Sequence, residues 1–134
     1  MKKIFLTAGI AFFLSMNAWA DNKPSACPSV AAIKKIGLSG NIIQDNDGKW
    51  YAGRTSQNYE TKEKWTFVIG GITAANKVDA MKKAKDALAT LCYRSGPKKA
   101  PANKWLCLYD NNKHYLSGAV TPPIDDFDGM KYYN

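Results

Sequence analysis

A long amphipathic segment at residues 74–92 constrains the fold most, because its apolar residues recur at the spacing of one helical face. The apolar stripe consists of Ala74, Val78, Met81, Ala84, Leu88 and Leu91. Steps of three and four residues predict a helix that packs against another layer of the protein. Thr73 is placed to cap its N-terminus, and Gly96-Pro97 is placed to end the helical region. The rest of the chain must supply the layer that this helix covers.

Short runs rich in tryptophan and β-branched residues supply that layer. Strands are predicted at residues 42–44, 49–52, 64–72, 104–109 and 114–120. Turn signals at 45–48 and 110–113 join two pairs of these strands as hairpins, and a short helix is expected over 27–37. The order α-β-β-β-α-β-β indicates an α+β two-layer sandwich: an antiparallel sheet of about five strands with one long and one short helix.

The chain of 134 residues is long enough for one domain. Residues 1–20 have the form of a secretory signal peptide, with a basic start, an apolar run and Ala18-Trp19-Ala20 at the expected cleavage site. We expect a loose leader over 21–26, a single α+β domain over 27–123 and a flexible acidic and aromatic tail over 124–134. With no further apolar stretch of membrane-spanning length, we expect a periplasmic or secreted protein.

The three cysteines are Cys27, Cys92 and Cys107. In an exported chain, an odd number of cysteines predicts one disulfide and one thiol left over. Cys107 lies in the apolar run 105–109, so we expect it to be buried and paired. Its partner is either Cys92, at the end of the long helix, or Cys27, and the sequence leaves these two pairings open. A zinc site is not indicated, because the chain has no CxxC pair and a single histidine.

Motifs that carry catalysis are missing from the sequence. There is no nucleophile elbow, no glycine-rich phosphate loop and no group of residues with the spacing of metal ligands. The aspartates Asp125, Asp126 and Asp128 lie in the tail, where we expect nothing to hold two carboxylates at a fixed separation. We therefore predict a binding protein without catalytic activity and without a resident metal.

The second hairpin carries one candidate binding site, built around His114. If Asn111-Asn112 formed a two-residue turn, Tyr109 would oppose His114, and Trp105 would lie farther along the same face. Haem iron accepts an axial histidine or tyrosine, and the macrocycle prefers apolar and aromatic walls. The candidate residues for reversible binding of hemin are His114, Tyr109, Tyr115 and Trp105.

The basic face of the long helix is the other candidate site. The chain has a formal net charge of +8. The lysines assigned to this face are Lys77, Lys82, Lys83 and Lys85. A cluster of this kind attracts anionic partners, so this face would suit an anionic surface or a host partner.

Several short motifs together carry a family resemblance. Cys27-Pro28-Ser29-Val30 follows an Ala-x-Ala signal, and a tryptophan-rich β region and a lysine-rich helix precede Trp105-Leu106-Cys107-Leu108-Tyr109. This pattern, up to about Pro123, resembles a family of small exported proteins of intracellular bacterial pathogens. Some members carry a hemin-binding label, and others are suspected of secretion beyond the outer membrane. The resemblance therefore implies hemin as the most concrete ligand, with an anionic partner at the lysine-rich helix as the alternative.

Overall fold

A computed structural model of the chain describes residues 22–133. The signal peptide predicted over residues 1–20 lies outside this part of the chain. No helix within the described residues is long and apolar enough to cross a bilayer. In chain order the elements are α1 (Val30–Ile36), β1 (Ile42–Gln44), β2 (Trp50–Gln57), β3 (Trp65–Ile72), α2 (Lys77–Ala89), β4 (Cys92–Ala100), β5 (Lys104–Asp110), β6 (Leu116–Thr121) and a 3₁₀ helix (Phe127–Tyr132).

The six strands form one antiparallel sheet in the order β1-β2-β3-β6-β5-β4. The α+β class and the order of the predicted elements are confirmed, but the sheet has one strand more than the five predicted. The additional strand is β4, where the sequence indicated the end of a helix and a linker. Pro97 is tolerated there because β4 is an edge strand, and irregular pairing on either side of Ser95 accommodates the proline.

The turn between β1 and β2 forms at the residues predicted for it. The Asp45 carboxylate accepts the backbone N–H groups of Asp47 and Lys49, each at 2.9 Å. The Tyr51 hydroxyl and the Lys131 ammonium group also reach this carboxylate, at 3.1 and 3.5 Å. Burial acts to raise the pKa of Asp45, but the hydrogen bonds outweigh it and the pKa lies below its usual value. The ionised carboxylate thus joins the first hairpin to the C-terminal 3₁₀ helix.

Helix α2 packs on β2 and β3 mainly through a row of alanines, of which Ala84 belongs to the predicted stripe. Ala80, Ala84 and Ala87 are fully buried, whereas Val78 is 81% exposed. Small side chains let the helix backbone lie close to the sheet, so the contact face is rotated away from Val78. Leu91 of the predicted stripe is buried, and Ala74, Met81 and Leu88 are partly buried against the core, so Val78 is the stripe residue that this rotation exposes.

The helix is also shorter than the predicted range of 74–92. Asn76, rather than Thr73, caps its N-terminus, because the Asn76 side chain accepts the backbone N–H of Asp79 at 2.9 Å. The helix ends at Ala89, and Cys92 already belongs to β4. The cysteine expected at the end of the helix therefore lies at the start of an edge strand.

The disulfide joins Cys27 to Cys107, which settles the pairing that the sequence left open. Cys107 is fully buried in the core beneath the helices, as predicted for a side chain on the helix side of the sheet. The Tyr109 hydroxyl donates to the Pro28 carbonyl, so a covalent bond and a hydrogen bond hold the segment before α1 on β5. Cys92 is exposed and unpaired.

Residues 124–133 of the segment predicted to be a flexible tail (124–134) pack on the second face of the sheet, so that prediction needs correction. Phe127 and Met130 lie one turn apart in the 3₁₀ helix and are buried in a cluster with Leu106 of β5. The backbone of Ile124 exchanges two hydrogen bonds with the Thr66 hydroxyl of β3. Both faces of the sheet are therefore covered by other elements, whereas the prediction covered only one face.

Candidate functional site

The β5–β6 hairpin has a longer loop and a different register from those predicted. Tyr109 pairs with Ser117, three residues beyond the His114 expected opposite it. Asn111 provides the reason, because it is buried and its side-chain oxygen accepts the backbone N–H of Tyr115 at 3.2 Å. This side chain closes the loop across several residues, so no two-residue turn forms at Asn111-Asn112.

A cleft of about 550 Å³ beside this loop contains three of the four residues predicted for hemin. Tyr109, His114 and Tyr115 line the cleft, and Trp105 does not. His114 is exposed in the loop with φ at 59°, while the hydroxyl of buried Tyr109 is already bound to the Pro28 carbonyl. The lining also includes the polar residues Arg94, Asp110, Asn111 and Ser117. The walls are therefore more polar than a haem macrocycle prefers.

Trp105 lies apart from this cleft, next to two lysines. The ammonium groups of Lys99 and Lys23 are 4.9 and 5.9 Å from the centroid of its indole ring, which is within the range of a cation–π interaction. Lys23 belongs to the predicted loose leader, and its neighbour Pro24 is buried. Residues 22–26 therefore contact the domain, and Trp105 supports that contact instead of forming a wall of the hairpin cleft.

Burial raises the pKa of Tyr59 to about 12 and raises the pKa of Tyr109 still further. The stability that follows from these raised pKa values is fully present below the unfolded-state pKa of about 10 and is lost as the pH rises through the folded-state values. An ultraviolet absorbance titration, recorded alongside circular dichroism, measures the ionisation of the two buried tyrosines. Tyr59 and Tyr109 should ionise only together with the loss of circular dichroism. Ionisation of Tyr59 and Tyr109 near pH 10 in a folded chain would contradict their burial.

The second candidate site is a groove of about 560 Å³ between α2 and the segment that leads into β1. Three of the four predicted lysines line it, and its other lining residues are mostly apolar. Asp86 is the acidic residue among them. The full lining consists of Gly40, Ile42, Lys77, Val78, Met81, Lys82, Lys85 and Asp86. Cationic groups and apolar surface thus occur together in one concave site, which we call the α2 groove.

Lys83, the fourth predicted lysine, does not line the α2 groove. Its ammonium group lies 3.3 Å from the Asp79 carboxylate and donates to the Thr73 carbonyl at 2.8 Å. The backbone N–H of Ala75 and the Lys83 ammonium group together hold the pKa of Asp79 below its usual value. The charge of Lys83 is therefore compensated locally. The salt bridges within residues 22–133 involve none of the groove lysines Lys77, Lys82 and Lys85.

The lysines of this groove were predicted from the sequence, but its apolar half was not. The predicted stripe places Val78 against the core, and Gly40 was part of no predicted element. A signal was available, because Ala80, Ala84 and Ala87 also recur at steps of four and three and define a helical face that shares Ala84 with the predicted stripe but is rotated about the helix axis. If the alanine face packs on the sheet, Val78 points outward and lies beside the lysines.

Among residues 22–133, no group of three or more His, Cys, Asp or Glu side chains could hold a metal ion. A family model described as a domain of unknown function (DUF4949) matches residues 26–132. The chain belongs to this family. The matched region contains both cysteines of the disulfide and the whole 3₁₀ helix, so the cover on the second face of the sheet lies within the family domain. No curated protein and no solved structure matches the chain.

Proposed function

We propose that this protein is a non-enzymatic binding protein, exported from a bacterial cell, that holds an anionic partner at the α2 groove. The observation that carries the proposal is that Lys77, Lys82 and Lys85 line one concave surface without an ion pair to any other described residue. Uncompensated positive charge at a concave surface raises the local concentration of anions and speeds their association. Asp86 offsets only part of this charge.

The disulfide supports export. Disulfides form and persist in oxidising compartments such as the bacterial periplasm and the extracellular space. The bond between Cys27 and Cys107 spans 80 residues of sequence and includes a fully buried sulfur, so it is a structural part of the domain. Together with the signal peptide predicted over residues 1–20, it favours a protein that works outside the cytoplasm.

The groove lysines provide the test of this function. We expect the triple substitution of Lys77, Lys82 and Lys85 by glutamine to weaken binding to a heparin oligosaccharide, used as a polyanion probe, by roughly tenfold or more. The slope of log affinity against log salt should also fall by roughly one for each lysine that contacts the anion. Isothermal titration calorimetry at several salt concentrations measures both quantities.

The matched control removes the same charge elsewhere. Lys62, Lys64 and Lys113 are exposed and lie outside the α2 groove. Their substitution by glutamine should lower the affinity only slightly, because exposed charges beyond about 8–10 Å from the ligand are screened by salt. Equal losses in the two triple variants would mean that net charge governs binding, and the proposed site would then be wrong.

Hemin binding at the β5–β6 hairpin is the second candidate function. The observation in its favour is that His114 and Tyr115 line the same cleft, with the imidazole exposed. Titrating hemin into the protein should give a saturable one-to-one shift of the Soret band that His114→Ala weakens. A shift that the substitution leaves unchanged, or the lack of a saturable shift, would count against this candidate.

A further inference from the structure

The α2 groove has an apolar component that charge alone does not explain. Its volume of about 560 Å³ falls in the range of roughly 300–1,000 Å³ that is common for small-molecule sites. Val78 is 81% exposed and lies among the lysines, and Met81 and Ile42 extend the apolar lining. A ligand that offers only negative charge would leave this surface in water.

We propose that the α2 groove binds a single-chain anionic amphiphile, such as a long-chain fatty acid. This inference rests on the proposed function, the binding of an anion at the same groove. The alkyl chain lies against Ile42, Val78 and Met81, and the acidic head is held by the ammonium groups of the lining lysines. Each part of the ligand then meets a surface of matching chemistry: apolar burial supplies affinity in proportion to chain length, and the charge pairs orient the head.

The extent of the apolar surface favours a small amphiphile over a bilayer or a protein partner. The other large exposed apolar residues of the described chain, Ile36, Tyr93 and Tyr132, do not line the groove. A bilayer contact needs a continuous apolar face that protrudes, and a stable protein interface buries about 800 Å² on each partner. Here the apolar surface beside the lysines is concave and confined to one groove.

Gly40 and Val78 allow the groove to be changed without disturbing the core. A Cβ atom added at Gly40 meets no heavy atom within 4 Å, so Gly40→Leu adds bulk to the lining in open space. Val78 is exposed, and Val78→Asn removes apolar surface at nearly unchanged helix propensity. Neither substitution alters the charge of the groove. Tyr132→Asn, at an exposed residue outside the groove, is the matched control.

The experiment is calorimetric titration of the folded protein with octanoate, decanoate and dodecanoate below their micelle concentrations, and with uncharged decanol. We expect one-to-one binding whose affinity rises by up to roughly fourfold for each methylene group. Decanol should bind roughly tenfold or more weakly than decanoate. Gly40→Leu and Val78→Asn should each weaken dodecanoate binding by roughly tenfold, with Tyr132→Asn unchanged.

Three outcomes would overturn the inference: no saturable binding of monomeric dodecanoate, affinity that is independent of chain length, or binding to phosphatidylglycerol vesicles without binding to the monomer. Retained heparin binding at Lys77, Lys82 and Lys85 would then leave the proposed function in place with an extended acidic partner. If the triple substitution of Lys77, Lys82 and Lys85 also left heparin binding unchanged, the proposed function would be wrong as well. The two proposals therefore fail separately.

Discussion

Removing the disulfide between Cys27 and Cys107 is expected to lower the free energy of unfolding by about 4.5 kcal/mol. This value follows from the chain-entropy model for a cross-link that spans 80 residues. A domain of this size has a stability of about 5–15 kcal/mol, so the variant should be close to unfolding at ambient temperature. Urea denaturation of the double variant Cys27→Ala and Cys107→Ala, followed by circular dichroism, measures the loss.

Cys92 provides the control for this measurement. Because Cys92 is exposed and unpaired, Cys92→Ser should change the stability by less than about 0.5 kcal/mol. A reducing agent should destabilise the wild-type protein and the Cys92→Ser variant equally. If the double variant kept its full stability, or if Cys92→Ser were as damaging as the double variant, the pairing of Cys27 with Cys107 would be wrong.

Met130→Ala is expected to have the second largest effect, a loss of about 3 kcal/mol. Met130 is fully buried and packs over Gly118 of β6, where an added Cβ atom would lie 3.2 Å from the methionine sulfur. Truncation removes apolar contacts and leaves a cavity between the 3₁₀ helix and the sheet. Thermal or urea unfolding of the variant gives the stability change directly.

Tyr132, two residues farther along the same 3₁₀ helix, is the matched control because it is 72% exposed. Tyr132→Ala should cost less than about 0.5 kcal/mol. If Met130→Ala were equally mild, the C-terminal segment would not contribute to the core, and the sheet would be covered on one face only.

Local signals made part of the fold predictable. The turn at Asp45 was predicted because its side chain and Gly48 fix the backbone within four residues, independently of the rest of the protein. The α+β class followed in the same way from hairpin signals around one amphipathic helix. The pairing of Cys27 with Cys107 was not predictable, because it depends on which two distant segments meet in space.

The errors arose where tertiary contacts overrode local patterns. The sequence near Pro97 indicated a linker, but an edge strand can lack a backbone N–H and still pair through irregular registers. In the second hairpin, the Asn111 side chain closed a longer loop and moved His114 out of the strand. Phe127 and Met130 stand three residues apart in a short acidic segment, where two apolar residues were too weak a signal to predict a buried turn.

The structure departs further from the prediction of the hemin site than from the prediction of the lysine face. The hemin site depended on a cross-strand register that proved wrong, so its four residues are only partly brought together. The lysine face depended on helical periodicity alone, which placed Lys77, Lys82 and Lys85 correctly along one side of α2. The four-residue spacing of Asp79 and Lys83 on the helix also predicts their ion pair, which the structure confirms with the two groups 3.3 Å apart.

Locating where an anionic ligand binds tests the α2 groove as the binding site directly. Titration of ¹⁵N-labelled protein with a heparin oligosaccharide, and separately with dodecanoate, reports the site through amide chemical shifts. We expect saturable shifts at Lys77, Lys82 and Lys85 with heparin, and additional shifts at Gly40 and Val78 with dodecanoate. Shifts that cluster around His114 and Ser117, or that spread over all exposed lysines, would contradict the α2 groove as the binding site.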